Sequence, residues 1–527
     1  MTITATEGKA YLVGGGIGAL AAAAFIVRDS DMPAGNITIF ESLPVLGGSL
    51  DGAGNPDSGY SLRGGRMLTT DNFECTWDLF RSIPSLAHPG KSVYEETVDF
   101  NSRIRSHSKA RLVDRNRAIV DVNSMGFTMK DRLALLKLIE AREEDLGASR
   151  ITDWFSPEFF TTTFWQLWQT TFTFQAWHSA AECRRYLHRF MKEFSRIETL
   201  GGIKRTIYNK YESLVCPLEN WLAAQGVNFM NNCTVTDFDL ETVGDITTVS
   251  GITYNRSGVT KFLPVGSSDL VFLQNGSMTD ASSLGSMTSV PECPAKDENG
   301  GWSLWEQLAE GRPGFGDPTA FNASIPETCW YSFTVTLNDT VFFDQMETFT
   351  GNEAGTGGLV TFKDSRWLIS VVLAHQPYFA NQPADTRVFW GYALHPYRVG
   401  DFVAKPMSEC TGADILREVC GHLNFDMNAV FATANCIPCR MPYITSMFMP
   451  RAPGDRPRPV PQNSRNLALV SQFVEIPEDT VFTVEYSVRA AQMAVYELLG
   501  IDREIPPIRH HDESLKVQFD ALIKAFK

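Results

Sequence analysis

YLVGGGIGAL at residues 11–20 and ITIFES at residues 37–42 form one unit: an apolar strand, a glycine turn, a helix, and a second strand that ends in an acid. Gly14 and Gly16 let the backbone turn tightly and approach a pyrophosphate at a helix N-terminus, and Ala19 is small enough for close helix-to-strand packing. Glu41, 27 residues after Gly14, stands where a carboxylate accepts the ribose hydroxyls of an adenine dinucleotide.

Later segments return to the same lobe. LAAQGVNFMNNCTVTDF (222–238) reads as a helix running into strands, and DLVFLQNG (269–276) and NLALVSQF (466–473) read as buried strands. VEYSVRAAQMAVYELL (484–499) carries apolar residues at helical spacing. The expected fold class is therefore α/β: a discontinuous Rossmann-like lobe with an inserted α+β substrate lobe and a C-terminal helical segment. Its pieces are 1–95, 199–290 and 441–500. Between them lie an aromatic-rich helical region (96–198) and a lobe with an antiparallel sheet (291–440), read from stretches such as CWYSFTVTL and TRVFWGYAL. In residues 154–177, ten of 24 are aromatic, which fills a core and can also wall an apolar tunnel. Residues 501–527 form the tail, where Leu515, Phe519, Leu522, Ile523 and Phe526 share one helical face. That face either docks on the protein body or rests on a membrane surface.

A chain of 527 residues with a formal charge of −15 and no long basic stripe is not built to track nucleic acid. The N-terminus lacks the basic start and apolar core of a signal peptide, and no apolar run is long enough to span a bilayer. Ten irregularly spaced cysteines suit free thiols in a reducing cytoplasm. The single CxxC, Cys436 to Cys439, has no second pair and reads as packing in a loop that enters a strand; no metal site is expected.

Several long motifs follow in order: RGGRM (63–67), NFECTWDLFRSIPSL (72–86), FWQLWQTTFTFQAWHSA (164–180), YNKYESLVCPL (208–218), PYITSMFMPR (442–451), GDRP (454–457) and QFVEIPEDTVFTVEYSVRAAQ (472–492). With these the chain closely resembles the oleate hydratases, also known as the myosin-cross-reactive antigens. The resemblance implies an FAD-containing hydro-lyase that adds water to the cis-9 double bond of an unsaturated fatty acid, taking oleate to 10-hydroxystearate with no net flavin redox change. It implies cofactor contacts from Gly14, Gly16, Ile17 and Ala19 to the pyrophosphate, Glu41 to the ribose and Val235 to the adenine. Ser49, Arg66 and Met67 would lie between pyrophosphate and flavin, and Ser277, Phe482 and Thr483 along the cofactor.

Hydrating an isolated alkene needs a proton donor, tolerance of cation-like charge, and a positioned water. The family's donor is a tyrosine in a motif that here reads ECRRYLHRF, which places the role on Tyr186. After RGGR the family usually has a glutamate to activate water; this chain has Met67, whose thioether cannot accept a proton. Asp71 and Glu74 are the nearest carboxylates in sequence, both expected to support the loop or face solvent, so water is expected to be held by backbone groups and the flavin. For the substrate carboxylate, the family's positions offer Lys210, Thr445 and Met447, with Arg451 nearby. Two rivals stand beside this reading: a flavin oxidoreductase of the amine-oxidase or desaturase kind, and a flavin- or lipid-binding protein without catalysis. Expected partners are the fatty acid and water, with no nucleic acid, for a monomer or homodimer in the cytoplasm; docking on the protein body is the first expectation for the C-terminal helix, and a peripheral membrane contact through it is the alternative.

Overall fold

A computed structural model describes residues 8–296 and 300–527. Ala10–Val13 is buried at every position, as a central strand covered on both faces must be. It pairs in parallel with Leu270–Leu273 on one side and Ile37–Phe40 on the other; Leu467–Leu469 and Asn228–Met230 complete a five-stranded parallel sheet. Three distant pieces of sequence thus build one sheet, as expected. The helix Ile17–Asp29 lies against it with ten consecutive buried residues from Ile17 to Ile26. Val484–Leu499, started by the Thr483 side chain accepting from the Tyr486 amide, packs alongside. An antiparallel meander, Cys233–Val243, Ile246–Arg256 and Val259–Pro264, extends from this lobe.

The second sheet has seven strands in the order Ser283–Leu284, Ala434–Met441, Trp330–Leu337, Arg387–Ala393, Ile369–Val372, Leu359–Phe362 and Leu112–Val113. All neighbours are antiparallel except the last pair. Residues outside 291–440 supply both edge strands, so the sheet is less self-contained than its sequence boundaries. Strand alternation gives it two faces. Phe333, Val335 and Phe389 face one core with the helix Gly412–Leu423, while Trp330, Trp390 and Tyr392 turn toward the nucleotide-binding lobe. The hairpin Gly52–Asn55 and Gly59–Leu62 is tied to the sheet by Tyr60 and Leu62 amides donating to Thr336 Oγ1 and Thr334 Oγ1. It delivers RGGRM to the seam between the lobes.

Two sequence expectations change. Cys436 and Cys439 lie within the strand Ala434–Met441 rather than in a loop before it; burial pushes both thiols up, Cys439 to about 12, so they pack as apolar groups. The C-terminal helix Leu515–Phe526 does not dock through its apolar face. Leu515 is 82% exposed and Phe519 61%, whereas Lys524 is buried against Glu198 at 2.8 Å.

Candidate functional site

Two cavities meet at RGGRM. The larger, about 600 Å³, is within the usual range for small-molecule sites and runs along the C-terminal ends of the parallel strands. Of the residues that the resemblance assigned to the cofactor, Gly14, Gly16, Ile17, Glu41, Ser49, Arg66, Val235, Ser277, Phe482 and Thr483 line it, while Met67 lines only the second cavity. Gly14 has φ +94°, open to glycine and strained for other residues. A side chain at Gly18 would come within 2.6 Å of the Val470 carbonyl, so Gly18 rather than Ala19 makes the close approach; Ala19 is buried in the helix and borders neither cavity. Glu41 accepts from the Gly15 amide at 2.7 Å and the Leu43 amide at 2.8 Å, fixing the glycine turn. Gln274, which sequence reasoning passed over although it ends a buried strand, accepts from the Gly16 amide at 3.2 Å at the start of the fingerprint helix. The helix carries no acidic residue of its own in its first turn.

The second cavity is a narrow channel lined by Arg66, Met67, Phe73, Thr171, Phe172, Tyr186, Phe190, Arg205, Thr206, Lys210, Trp330, His375, Tyr378, Trp390 and Tyr392, with Phe482 and Thr483 shared with the first. Of the ten aromatics in 154–177, Phe172 alone lines this cavity; the others pack, and the remaining aromatic lining comes from Phe73, Tyr186, Phe190, Trp330, Tyr378, Trp390, Tyr392 and Phe482. Among the described residues, no Asp or Glu lines it.

Tyr186 sits on the helix Ala180–Arg189, 2% exposed, among Phe172, Phe174, Phe190 and Phe448. Its hydroxyl donates to the Val481 carbonyl at 2.6 Å. Burial, then the charges of Glu182 and Asp479, hold its proton far more tightly than in an ordinary phenol, while Arg66 pulls the other way. Arg66 itself reaches no carboxylate among the described residues. Its guanidinium stacks over the Phe482 ring at 4.7 Å, and burial lowers its pKa to about 10. Phe482 has φ +65°, a conformation uncommon outside glycine, and the Gln472 side chain accepts from its amide.

Lys210 is buried, and its ammonium donates to Thr206 Oγ1 at 2.9 Å. Burial and then Arg205 lower its pKa to about 7. The other expected anchors are elsewhere. Arg451 is committed to Glu182 at 3.2 Å, Glu475 at 3.1 Å and Glu143 at 3.5 Å, so it is not a free cation, and it borders neither cavity. Thr445 donates to the Thr328 carbonyl and Met447 is fully buried; neither lines the channel.

Asp71 and Glu74 are likewise spent. Asp71 pairs with Lys192 at 2.7 Å, and Glu74 with Arg189 at 2.6 Å and Arg489 at 3.0 Å. Met67 thus has no carboxylate substitute in the channel. Asp401, Glu418 and His422 are the one grouping of metal-ligand types among the described residues, and none of them borders either cavity.

The MCRA family model matches residues 7–496. The oleate hydratase of Streptococcus pyogenes serotype M49 (strain NZ131) is 38% identical over 94% of this chain and 86% of its own length. The linoleate hydratase of Lactiplantibacillus plantarum is 32% identical over 99% of each. Among solved structures, an oxidoreductase from Methanosarcina mazei superposes with a TM-score of 0.54 at 12% identity, covering 93% of this chain and all of that one, which speaks for the fold alone.

Proposed function

The chain belongs to the MCRA family, and on that premise we propose that it hydrates the cis-9 double bond of unsaturated fatty acids, with FAD in the larger cavity. The carrying observation is Tyr186. It is a phenol buried in an aromatic-walled channel that no Asp or Glu among the described residues lines and that shares Arg66, Phe482 and Thr483 with a dinucleotide cleft. The cleft fits FAD: the glycine turn, Glu41 and the uncompensated Arg66 suit an adenine dinucleotide with an anionic pyrophosphate. The flavin, when bound, supplies shape and electrostatics next to the double bond rather than net redox chemistry.

The residues set the order of events. Tyr186 turns its hydroxyl from the Val481 carbonyl and gives its proton to one alkene carbon, leaving a phenolate beside Arg66. Arg66 stabilises that phenolate across the low-dielectric channel. Water adds to the other carbon, forming the C–O bond. The protonated alcohol is so acidic that it needs no dedicated carboxylate, and its proton returns to the phenolate, which closes the balance without the base missing at Met67. Purified, FAD-loaded protein is expected to convert oleate without consuming oxygen. Oxygen uptake matching turnover would favour the oxidoreductase reading instead.

The channel's substrate reaches it from a lipid phase, and the tail offers a surface for that phase. Leu515, Phe519, Leu522, Ile523 and Phe526 are all exposed, and so are Met129, Leu133 and Leu136 of Met129–Glu140, whose Arg132 donates to the Ala525 carbonyl and stacks on Phe526. No helix among the described residues is long and apolar enough to cross a membrane. The proposed contact is therefore peripheral. Wild-type protein is expected to sediment with phosphatidylglycerol–phosphatidylcholine vesicles, and a Phe519→Ser, Phe526→Ser double variant to stay in the supernatant. Equal sedimentation would remove the membrane role.

A further inference from the structure

Glu418 and His422 stand one turn apart on the helix Gly412–Leu423, and Asp401 meets them from the connection between the strand Arg387–Ala393 and that helix. Two glycines let the connection come this close: a Cβ at Gly400 would fall 2.7 Å from Glu418 Oε2, and one at Gly421 would fall 2.3 Å from the Phe402 ring. The Glu418 carboxylate is fully buried and accepts from the Asp401, Phe402 and Val403 amides at 2.6, 2.9 and 2.8 Å, which fixes both of its oxygens. The His422 ring is fixed as well, stacked on Phe362 at 5.1 Å and met edge-on by Phe402 at 5.0 Å. Its side chain is 10% exposed, and its Nε2 is buried without a hydrogen-bond partner.

That nitrogen lies 3.4 Å from Glu418 Oε1 and 3.7 Å from Asp401 Oδ2. Both distances exceed the ~2.7–2.9 Å of a charge-assisted hydrogen bond. They are close to the spacing of neighbouring donors around one ion, because bonds of about 2.0–2.1 Å at tetrahedral angles set ligand atoms about 3.4 Å apart. All three ligand atoms lie within 4.8 Å of one another. Two carboxylates at that range repel unless a cation joins them. Arg366 supplies only a loose one: its Nε is 3.6 Å from Asp401 Oδ1 on a side chain that is 64% exposed, while its amide donates to Oδ2 at 2.9 Å.

We propose that Asp401, Glu418 and His422 form a binding site for a divalent transition-metal ion of the zinc class, separate from the cofactor cleft and the channel. One imidazole and two carboxylates suit Zn²⁺ better than the soft ions that seek thiolates, or than Ca²⁺, which takes about six to eight oxygens. The Asp401 side chain is 29% exposed, so the ion enters from that side and water completes its shell. The three amides on Glu418 act as outer partners that hold this ligand in place. The ion pins the connection at Asp401 to the helix Gly412–Leu423 and braces the substrate lobe; none of its ligands borders either cavity, so it takes no part in hydration. Its signal in the sequence is slight, because Glu418 and His422 stand at i and i+4 but Asp401 comes 17 residues before Glu418.

The test uses tag-free, FAD-loaded protein, stripped with EDTA, freed of chelator and titrated with ZnCl₂ by calorimetry. One equivalent is expected to bind saturably, and His422→Gln and Asp401→Asn are each expected to weaken it at least about tenfold. Glu418 is left in place because its carboxylate also holds three amides. Co²⁺ bound as that one equivalent should show d–d absorption without a thiolate charge-transfer band, which separates the site from binding at cysteines such as the exposed Cys293. Zn²⁺ should raise the Tm of the wild type and leave that of His422→Gln where it was, with the flavin spectrum unchanged throughout. No saturable equivalent in the wild type, equal binding by the wild type and both variants, or a thiolate band on the one equivalent would overturn the site. A flavin spectrum that shifts in step with Zn²⁺ would place the ion at the cofactor instead and would overturn it too.

Discussion

Replacing Tyr186 with phenylalanine is expected to leave FAD bound and to lower kcat/KM for oleate by at least about a hundredfold, the range lost when a positioned general acid is removed. The ring is held by Phe172, Phe174, Phe190 and Phe448, so the variant keeps its packing and loses only the O–H donated to Val481. An unchanged flavin spectrum beside lost turnover would separate chemistry from folding. Near-normal turnover would mean that another group supplies the proton. Because burial raises the phenol well above its usual range, hydration is expected to show no alkaline loss from Tyr186 between pH 7 and 9.

The second large effect concerns stability. Arg489→Met is expected to cost about 3–5 kcal/mol, the usual result of stranding buried charge. Arg489 reaches Glu74 at 3.0 Å, Asp479 at 3.1 Å, Glu485 at 2.9 Å and the Pro506 carbonyl at 2.6 Å, all in a site closed to solvent. Its loss leaves three carboxylates around one remaining cation, Arg189. Arg458→Met, which breaks an exposed pair with Glu497 at 3.3 Å, should change stability by about 1 kcal/mol or less. Denaturant titration of the two variants checks the contrast; equal losses would contradict the assignment. The same network sets an acid limit. Burial alone would raise the Glu74 carboxyl, but its bonds to Arg189 outweigh this and hold it below the usual glutamate range, whereas burial pushes the neighbouring Glu485 up. A depressed carboxylate contributes stability that is present above its unfolded value and lost as pH falls, so unfolding should become easier below about pH 4.5.

The network also explains why the tail is more than an appendage. Arg503 pairs with Asp29, the Arg509 amide donates to Glu74, and Asp512 meets the His188 imidazole on the helix that carries Tyr186. Residues 503–512 strap the helix that carries Tyr186 to the nucleotide-binding lobe, and the amphipathic helix beyond them is what remains free for a surface.

The parallel sheet was legible because each strand is a short, wholly apolar run and glycine geometry is local: Gly14, Gly16 and Glu41 act through their own backbone and neighbours. The channel's charges were less legible because charge pairing is not local. Arg451 and Arg205 look alike in a sequence, yet Arg451 is neutralised by Glu182, Glu475 and Glu143 from three distant segments, and Arg205 by none. Trp390 and Tyr392 could be read as strand residues, but which face meets the channel depends on sheet order. The tail's periodicity gave an amphipathic helix; that its polar side docks through Lys524 and Glu198 depends on a partner 326 residues away.

The most direct measurement is mass spectrometry of products after incubating FAD-loaded protein with oleate in ¹⁸O-labelled water under limited oxygen. A hydratase yields 10-hydroxystearate carrying the heavy oxygen at its hydroxyl, with the flavin's redox state unchanged at the end. Product oxygen drawn from O₂, flavin reduced in step with oleate consumed, or no hydroxy acid from fully loaded protein would contradict the account.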